Sequence, residues 1–325
     1  MSKEVQCLLC PRRCRLQEGM RGDCRVRINL GGKLETLVYG NPCAVHIDPV
    51  EKKPLFHLLP ESTTFSIATA GCNLHCKFCQ NWSISQVPPE ETRNMDMPPA
   101  RVVQMALRGG CRSIAYTYSE PVVFYEYMLA TAKLAREKGL KNIMVTAAYI
   151  NPEPLKEICK WIDAANIDLK GFTEKYYQEV CSGSLQPVLD SIEITRKAGV
   201  WVELTNLIVP TLNDDPADIK KMCLWIKNNV GETTPLHFSR FYPMYKLKNI
   251  PLTSAETLFK AREIALEAGL RYVYVGNIPG QGGGNTYCPN CNRIVIGRIG
   301  YSIKENNLRN GKCAFCGWPI AGVWR

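Results

Sequence analysis

The chain has 325 residues, with 40 Lys and Arg against 30 Asp and Glu, a formal net charge of +10, and 16 cysteines beside 4 histidines. Hydrophobic residues make up 46% and charged residues 22% of the chain, a balance that excludes a disordered or collagen-like protein. No apolar run approaches the ~20 residues of a membrane span, and the N-terminus lacks the charged-then-apolar order of a signal peptide. We therefore expect a cytoplasmic globular protein of about two domains, or a single α/β barrel. In that reducing compartment, closely spaced cysteines indicate metal sites rather than disulfides.

Residues 1–60 are predicted to form a cysteine-rich N-terminal region. Its closely spaced cysteines are Cys7, Cys10, Cys14 and Cys24. Four thiolates can close either a zinc site or an auxiliary iron–sulfur cluster, and spacing alone does not choose between them. A simpler interpretation is that this region only fixes the N-terminus against the next domain. Further along, His57 is expected to be a structural histidine, with a role as proton donor as the alternative.

Residues 61–280 alternate between two hydrophobic periods. Apolar, β-branched runs predict six strands, at 65–70, 112–118, 142–148, 164–169, 200–209 and 235–242. Segments of helical period lie between them, most clearly at 122–138, 214–230 and 254–268. Six successive strand–helix units predict a parallel α/β architecture, in which functional residues gather on the loops after the strands.

The loop after the first predicted strand carries three cysteines, Cys72, Cys76 and Cys79. Three thiolates leave one iron of a [4Fe–4S] cluster without a protein ligand, and that iron is open to a small molecule. The alternative is a zinc site completed by His75, but His75 directly precedes Cys76, and adjacent residues rarely converge on one ion. The odd number of cysteines therefore favours an open iron–sulfur cluster.

Polar residues follow the later strands at their carboxyl ends. The candidate binding residues here are Ser119, Glu120, Thr146, Asp168, Lys170 and Asn206. Such positions lie at one rim of a parallel barrel, so we expect their side chains to meet near the cysteine loop. Two of these features also have structural interpretations: Glu120 precedes Pro121 at a helix start, where an acid is favoured, and Asp168 with Lys170 could form a buried ion pair.

Residues 281–325 contain two Cys-x2-Cys pairs, Cys288 with Cys291 and Cys313 with Cys316. Two such pairs on tight turns predict a zinc ribbon, whose four thiolates make a closed, structural site. The glycine-rich run 280–284 is expected to be a hinge before it. Zinc ribbons also occur in nucleic-acid-binding proteins, but the nearby Arg and Lys residues lack interleaved aromatic residues, so we expect a solvated basic surface.

The run Cys72-Asn-Leu-His-Cys76-Lys-Phe78-Cys79 closely resembles the signature of the radical S-adenosylmethionine (SAM) superfamily. The resemblance implies a partial (β/α)6 barrel. It also implies that SAM binds the open iron and is cleaved to a 5′-deoxyadenosyl radical that abstracts hydrogen, with the protein supplying position and exclusion of competitors. The SAM contacts that it implies are Phe78 against the adenine, Ser119, Glu120, Thr146, Asp168, Lys170, Asn206 and the strand end at Gly276.

The flanks resemble one branch, the AmmeMemoRadiSam-system radical SAM enzymes, which are related to pyruvate formate-lyase activating enzyme. The match includes Cys10-Pro-Arg-Arg-Cys14 and Asn285-Thr-Tyr-Cys288-Pro-Asn-Cys291. This resemblance implies an oxygen-sensitive enzyme, an electron donor such as flavodoxin or ferredoxin, and partners of the Memo and AMMECR families. Val145-Thr-Ala147-Ala148 replaces the Asp-Thr-Asn-Gly expected in the activating enzyme, which puts that enzyme's monovalent cation site in doubt.

Three functions remain open on this evidence. The first is hydrogen abstraction from a glycine of a partner protein, which activates a glycyl radical enzyme. The second is radical modification of a small molecule or of another polypeptide in a Memo/AMMECR-like system. The third is a function of another class, nucleic-acid binding by a zinc-ribbon protein, which only the net charge and the predicted ribbon support.

Overall fold

The computed structural model describes residues 4–278 and 282–325, and its N-terminal part consists of short antiparallel pairs. The strands are β1 (Val5–Gln6) paired with β2 (Arg15–Leu16), and β3 (Arg27–Leu30) paired with β4 (Lys33–Thr36). Gly31 and Gly32 form the turn between β3 and β4 with φ of 61° and 75°, a left-handed backbone that glycine adopts without steric cost. These short pairs leave most of the region as loops, and the loops carry the cysteines.

An eight-stranded sheet forms the body of the protein. Its strands, from one edge to the other, are β5 (Ala44–Pro49), β6 (Thr63–Ala68), β7 (Ser113–Tyr116), β8 (Lys141–Thr146), β9 (Ala164–Asp168), β10 (Trp201–Ile208), β11 (Leu236–Arg240) and β12 (Val273–Gly276). Strands β6 to β12 are parallel, and β5 is antiparallel to β6. The six predicted strands are therefore confirmed, with β12 added as a seventh parallel strand and β5 as an antiparallel edge.

Helices connect successive parallel strands. They are α1 (Trp82–Ser85), α2 (Pro99–Arg108), α3 (Tyr125–Glu137), α4 (Pro152–Cys159), α5 (Glu174–Tyr176), α6 (Gln186–Lys197), α7 (Pro216–Asn229) and α8 (Ala255–Glu267). The predicted helices at 122–138, 214–230 and 254–268 correspond to α3, α7 and α8. Their starts follow from capping: Asp215 accepts hydrogen bonds from two backbone amides of α7, and Ser254 accepts one in α8. Tertiary packing of their apolar faces on the sheet makes the predicted barrel architecture.

The C-terminal residues form a small separate set of strands. These are β13 (Thr286–Tyr287), β14 (Ile294–Ile299), β15 (Ser302–Asn306), β16 (Leu308–Arg309) and β17 (Lys312–Cys313). Their apolar residues pack with Phe56, Tyr272 and Tyr274 in one cluster. Arg298, only 5% exposed, donates hydrogen bonds to the carbonyl oxygens of Phe56 and Gly284. The C-terminal strands are thus docked firmly on the barrel.

Domain boundaries were predicted after residue 60 and after residue 280. The boundary after residue 280 and the start of the predicted hinge lie in 279–281, outside the described residues. Near the boundary after residue 60, β5 already pairs with β6 over Ala44–Pro49. In residues 4–278 and 282–325, no helix combines the length and the apolar character that crossing a membrane requires.

Candidate active site

A cavity of about 550 Å³ opens at the carboxyl ends of the parallel strands. This size lies within the range of small-molecule sites, and the position is where parallel barrels carry their active sites. The three cysteines of the loop after β6 and seven of the eight predicted SAM-contacting residues line it: Cys72, Cys76, Cys79, Phe78, Ser119, Glu120, Thr146, Asp168, Lys170 and Gly276. The fold therefore brings together residues that are up to 204 positions apart, from Cys72 to Gly276.

The cysteine loop is held closely against the N-terminal region. Gly71 has a φ of 91°, and a Cβ atom there would lie 2.5 Å from the carbonyl oxygen of Cys24, so this position requires glycine. His75 makes hydrogen bonds of 2.8 Å through both ring nitrogens, to Gln86 and Asp23. Because both nitrogens have partners, the geometry speaks against His75 as a metal ligand.

The sulfur atoms of Cys72, Cys76 and Cys79 do not converge on a single-ion position. Within the described residues, the C-terminal cysteines are the sole group that brings three or more potential ligand atoms within 4.8 Å of one another. A wider spacing suits a multi-iron cluster, in which each thiolate binds a different iron. Burial raises the pKa of the Cys72 thiol, and a bound metal would displace that proton. The donor set and the space beside it fit a three-cysteine iron–sulfur cluster.

Glu120 is buried at the wall of the cavity and is held by the protein on two sides. Its carboxylate accepts hydrogen bonds from the Thr146 hydroxyl, from the Ala147 amide at 2.8 Å and from the Val122 amide at 3.2 Å. Burial raises its pKa despite these donors. The Val122 contact caps the short 3-10 helix Pro121–Phe124, so the structural interpretation of Glu120 holds together with its place in the cavity.

Ser119 differs from Glu120 because its hydroxyl has no partner. The Oγ atom is buried and makes no hydrogen bond with protein atoms, although the residue lines the cavity. Buried polar groups are nearly always paired in native proteins. The Ser119 hydroxyl is therefore free to pair with a polar group of a molecule bound in the cavity.

Asp168 and Lys170 form an ion pair below the cysteine loop, with 2.9 Å between Nζ and Oδ2. The Lys170 ammonium also lies 5.8 Å from the centre of the Phe78 ring. Burial favours the neutral amine, but Asp168 and the nearby thiols outweigh it and raise the pKa of Lys170 well above its usual value. Lys170 is therefore a fixed positive charge beside Cys76.

Asn206 lies apart from the other predicted SAM contacts. Thr205 and Leu207 line the cavity, and Asn206 lines a separate small pocket with Gly171 and Asn213. The reason is the alternation of a β-strand, in which neighbouring side chains point to opposite faces. Its amide donates to the carbonyl oxygen of Leu169 at 2.7 Å.

Several residues that the sequence did not single out also belong to this site. Lys53 is 2% exposed, lines the cavity and pairs with Asp48 at 2.7 Å. Burial lowers the pKa of Lys53 to about 8. Cys181 is fully buried, and its thiol interacts electrostatically with that of Cys76. No local signal marks these residues, because their partners are distant in the chain.

A second buried polar group lies deeper in the barrel. Glu203, with no exposed surface, accepts hydrogen bonds from the amides of Phe56 and His57 at 3.0 and 2.8 Å and pairs with His237 at 2.8 Å. His57 itself contacts the Ala321 carbonyl and the Tyr274 hydroxyl, and burial lowers its pKa to about 4. These contacts support the interpretation of His57 as a structural histidine.

The C-terminal cysteines form a compact candidate metal site away from the cavity. The sulfur atoms of Cys288 and Cys316 lie 3.6 Å apart, and those of Cys291 and Cys313 lie 3.8 Å apart. All four lie within 4.8 Å of one another. Four thiolates at this spacing suit one tetrahedral ion.

Comparisons with known proteins agree with this geometry. The sequence profile of the Radical SAM superfamily matches residues 66–226. An uncharacterized protein of Methanocaldococcus jannaschii is 48% identical over 98% of this chain and 95% of its own length. Pyruvate formate-lyase-activating enzyme of Clostridium pasteurianum is 26% identical over 57% of this chain and 83% of its own length.

Solved structures share the fold at low sequence identity. A radical SAM methyltransferase from Sphaerobacter thermophilus aligns with a TM-score of 0.54 and 14% identity over 67% of each chain. SuiB of Streptococcus suis, solved with its precursor peptide SuiA, aligns with a TM-score of 0.51 and 14% identity over 70% of this chain and 51% of its own. The cysteine loop, its cavity and these matches together establish that the chain belongs to the radical SAM superfamily.

Proposed function

We propose that this protein cleaves SAM reductively and uses the resulting radical to abstract hydrogen from a polypeptide, with a glycine of a partner protein as the first candidate. The observation that carries the proposal is the single cavity lined by Cys72, Cys76 and Cys79 together with Ser119 and Glu120. A [4Fe–4S] cluster at these cysteines would supply the electron that breaks the sulfonium C–S bond. The residues around it then have the task of holding SAM in one orientation.

The polar groups of the cavity suit the two ends of the methionine part of SAM. Glu120 is an acceptor for an ammonium group, and the free hydroxyl of Ser119 can pair with either an ammonium or a carboxylate. Lys170 provides a positive charge near Cys76 that would suit the carboxylate of SAM. Phe78 and Gly276 also line the cavity and would contact the adenine, whereas the Thr146 hydroxyl would hold Glu120 in place. Asn206, which lies outside the cavity, would act only by supporting the backbone at Leu169.

Two similarities support a polypeptide as the hydrogen source. The relative from Clostridium pasteurianum is a pyruvate formate-lyase-activating enzyme, and SuiB has been solved with a precursor peptide. The C-terminal strands reach the cavity through Tyr301, so they are placed to contact an incoming polypeptide. We assign zinc to Cys288, Cys291, Cys313 and Cys316, as the ion that keeps these strands folded. The electron would come from a flavodoxin or ferredoxin in an anaerobic cytoplasm.

The test measures where the abstracted hydrogen comes from. Reduced enzyme and SAM are incubated anaerobically with extract from cells grown in fully deuterated medium, separated into protein and small-molecule fractions. The proposal expects deuterium in 5′-deoxyadenosine and a persistent protein radical with the protein fraction. Deuterium transfer without a persistent radical would favour another polypeptide, such as a Memo- or AMMECR-like partner. Transfer from the small-molecule fraction alone would contradict the proposal.

A further inference from the structure

The four N-terminal cysteines surround a small pocket of their own. Cys7, Cys10, Cys14 and Cys24 all line it, and apolar side chains of Leu9, Val122 and Val123 close it. Three of the cysteines are at most 9% exposed. The amide of Cys7 donates to the carbonyl oxygen of Cys14 at 2.9 Å, which brings two of the loops together. The sequence left open whether such a group binds zinc or an iron–sulfur cluster. The positions of the sulfur atoms and the charges around the pocket bear on that choice.

The spacing of the sulfur atoms separates this group from the C-terminal one. Tetrahedral zinc holds its thiolates about 3.8 Å apart, given Zn–S bonds of about 2.3 Å. The C-terminal cysteines have this spacing, whereas no three of the N-terminal sulfurs lie within 4.8 Å of one another among the described residues. The sulfurs of Cys72, Cys76 and Cys79, the ligands expected to hold a cubane, likewise do not all lie within 4.8 Å of one another. The N-terminal group therefore resembles the iron–sulfur site of this chain rather than its single-ion site.

The charge around the pocket points to an anionic occupant. Arg12 and Arg27 both line it. Arg27 is 5% exposed, its Nη2 atom pairs with Glu126, and its buried Nε atom has no hydrogen-bond partner. A buried guanidinium nitrogen without an acceptor is costly. A metal centre with four thiolates is negatively charged and offers sulfur acceptors, so it would satisfy this donor.

We propose that Cys7, Cys10, Cys14 and Cys24 hold a second [4Fe–4S] cluster, with one thiolate on each iron. Four protein ligands leave no open iron, so this cluster does not bind SAM, and its chemistry is limited to accepting and passing electrons. Its position fits that role, because Asn73 lines the cysteine pocket and follows Cys72 directly in the chain. The proposal does not depend on the proposed function, since it rests on a separate set of ligands.

The test removes the cluster at the cavity and asks what iron remains. A triple variant with Cys72→Ala, Cys76→Ala and Cys79→Ala is reconstituted anaerobically as the full chain. We expect about four irons and four sulfides per chain, against about eight in the wild type. After reduction, the variant should show an electron paramagnetic resonance signal that SAM does not change. A triple variant that holds two zinc ions and no iron would overturn the proposal.

A second variant tests the ligands themselves. Cys10→Ala combined with Cys14→Ala should lower the iron content of the otherwise wild-type chain from about eight to about four and leave the zinc content unchanged. Cys43→Ala, at a half-buried cysteine outside all three groups, is the matched control and should keep about eight irons. Loss of zinc instead of iron from the double variant would contradict the proposal. If the double variant does not fold, the triple variant still decides, because it leaves the N-terminal group intact.

Discussion

Replacing Ser119 with alanine should separate ligand binding from folding. The hydroxyl is buried at the cavity wall without a partner, and burying an unpaired polar group costs about 1–3 kcal/mol. Ser119→Ala removes that cost, so the free energy of unfolding should rise by up to about 3 kcal/mol. If SAM satisfies the hydroxyl, the variant loses one hydrogen bond worth about 0.5–1.5 kcal/mol, which weakens SAM binding by about 2- to 13-fold.

Two measurements on the same variant check this. Chemical denaturation gives the free energy of unfolding, and calorimetric titration of the reconstituted protein gives the SAM dissociation constant. Ser113→Ala is the matched control, because that hydroxyl is also buried and unpartnered but lies outside the cavity lining. It should share the stability effect and bind SAM as the wild type does. Equal SAM affinity in Ser119→Ala and Ser113→Ala would refute the assignment of Ser119.

Three further predictions concern stability. Arg298→Met should lower the free energy of unfolding by about 3 kcal/mol, because it leaves the buried carbonyl oxygen of Phe56 and the carbonyl oxygen of Gly284 without a donor; exposed Lys304→Met should change it by less than about 0.5 kcal/mol, and equal effects would refute the docking role of Arg298. Lys53 has a folded pKa of about 8 against 10.5 for the free group, so above pH 8 the unfolded chain binds the proton that the folded chain has lost. The stability of the wild type relative to Lys53→Met should therefore rise between pH 8 and 10.5, and a fall would contradict the burial of a charged amine. Cys316→Ala should release one zinc and lower the melting temperature, and unchanged zinc content would argue against the C-terminal site.

The strands and helices of the barrel could be predicted because their signals are local. Apolar β-branched runs mark buried parallel strands, and Asp215 and Ser254 mark helix starts. The edge strand β5 gave no such signal, since it is antiparallel and His46 and Asp48 interrupt its apolar pattern. The cysteine loop was equally readable, because three ligands within eight residues carry their chemistry in their spacing.

The finer parts of the site depend on contacts that are distant in sequence. Asn206 was predicted as a SAM contact from its place late in β10, but the cavity is lined by its neighbours Thr205 and Leu207, because adjacent side chains of a strand point to opposite faces. Glu203 meets Phe56 from 147 positions away, and Lys53 meets Tyr118 through an amine 4.2 Å from the ring centre. Composition does not reveal such pairs. They form because the fold packs the segment from Glu51 to His57 against residues of the barrel that are distant in the chain.

The most direct test of the central claim is the yield of 5′-deoxyadenosine from reduced, reconstituted protein and SAM. The Cys43→Ala variant should form as much 5′-deoxyadenosine and methionine as the wild-type protein does, because Cys43 lies outside the cavity lining. Cys76→Ala should form neither above the background of protein-free controls, because a cluster that lacks this thiolate cannot present SAM correctly. Cleavage of SAM by Cys76→Ala at the wild-type level would contradict the account.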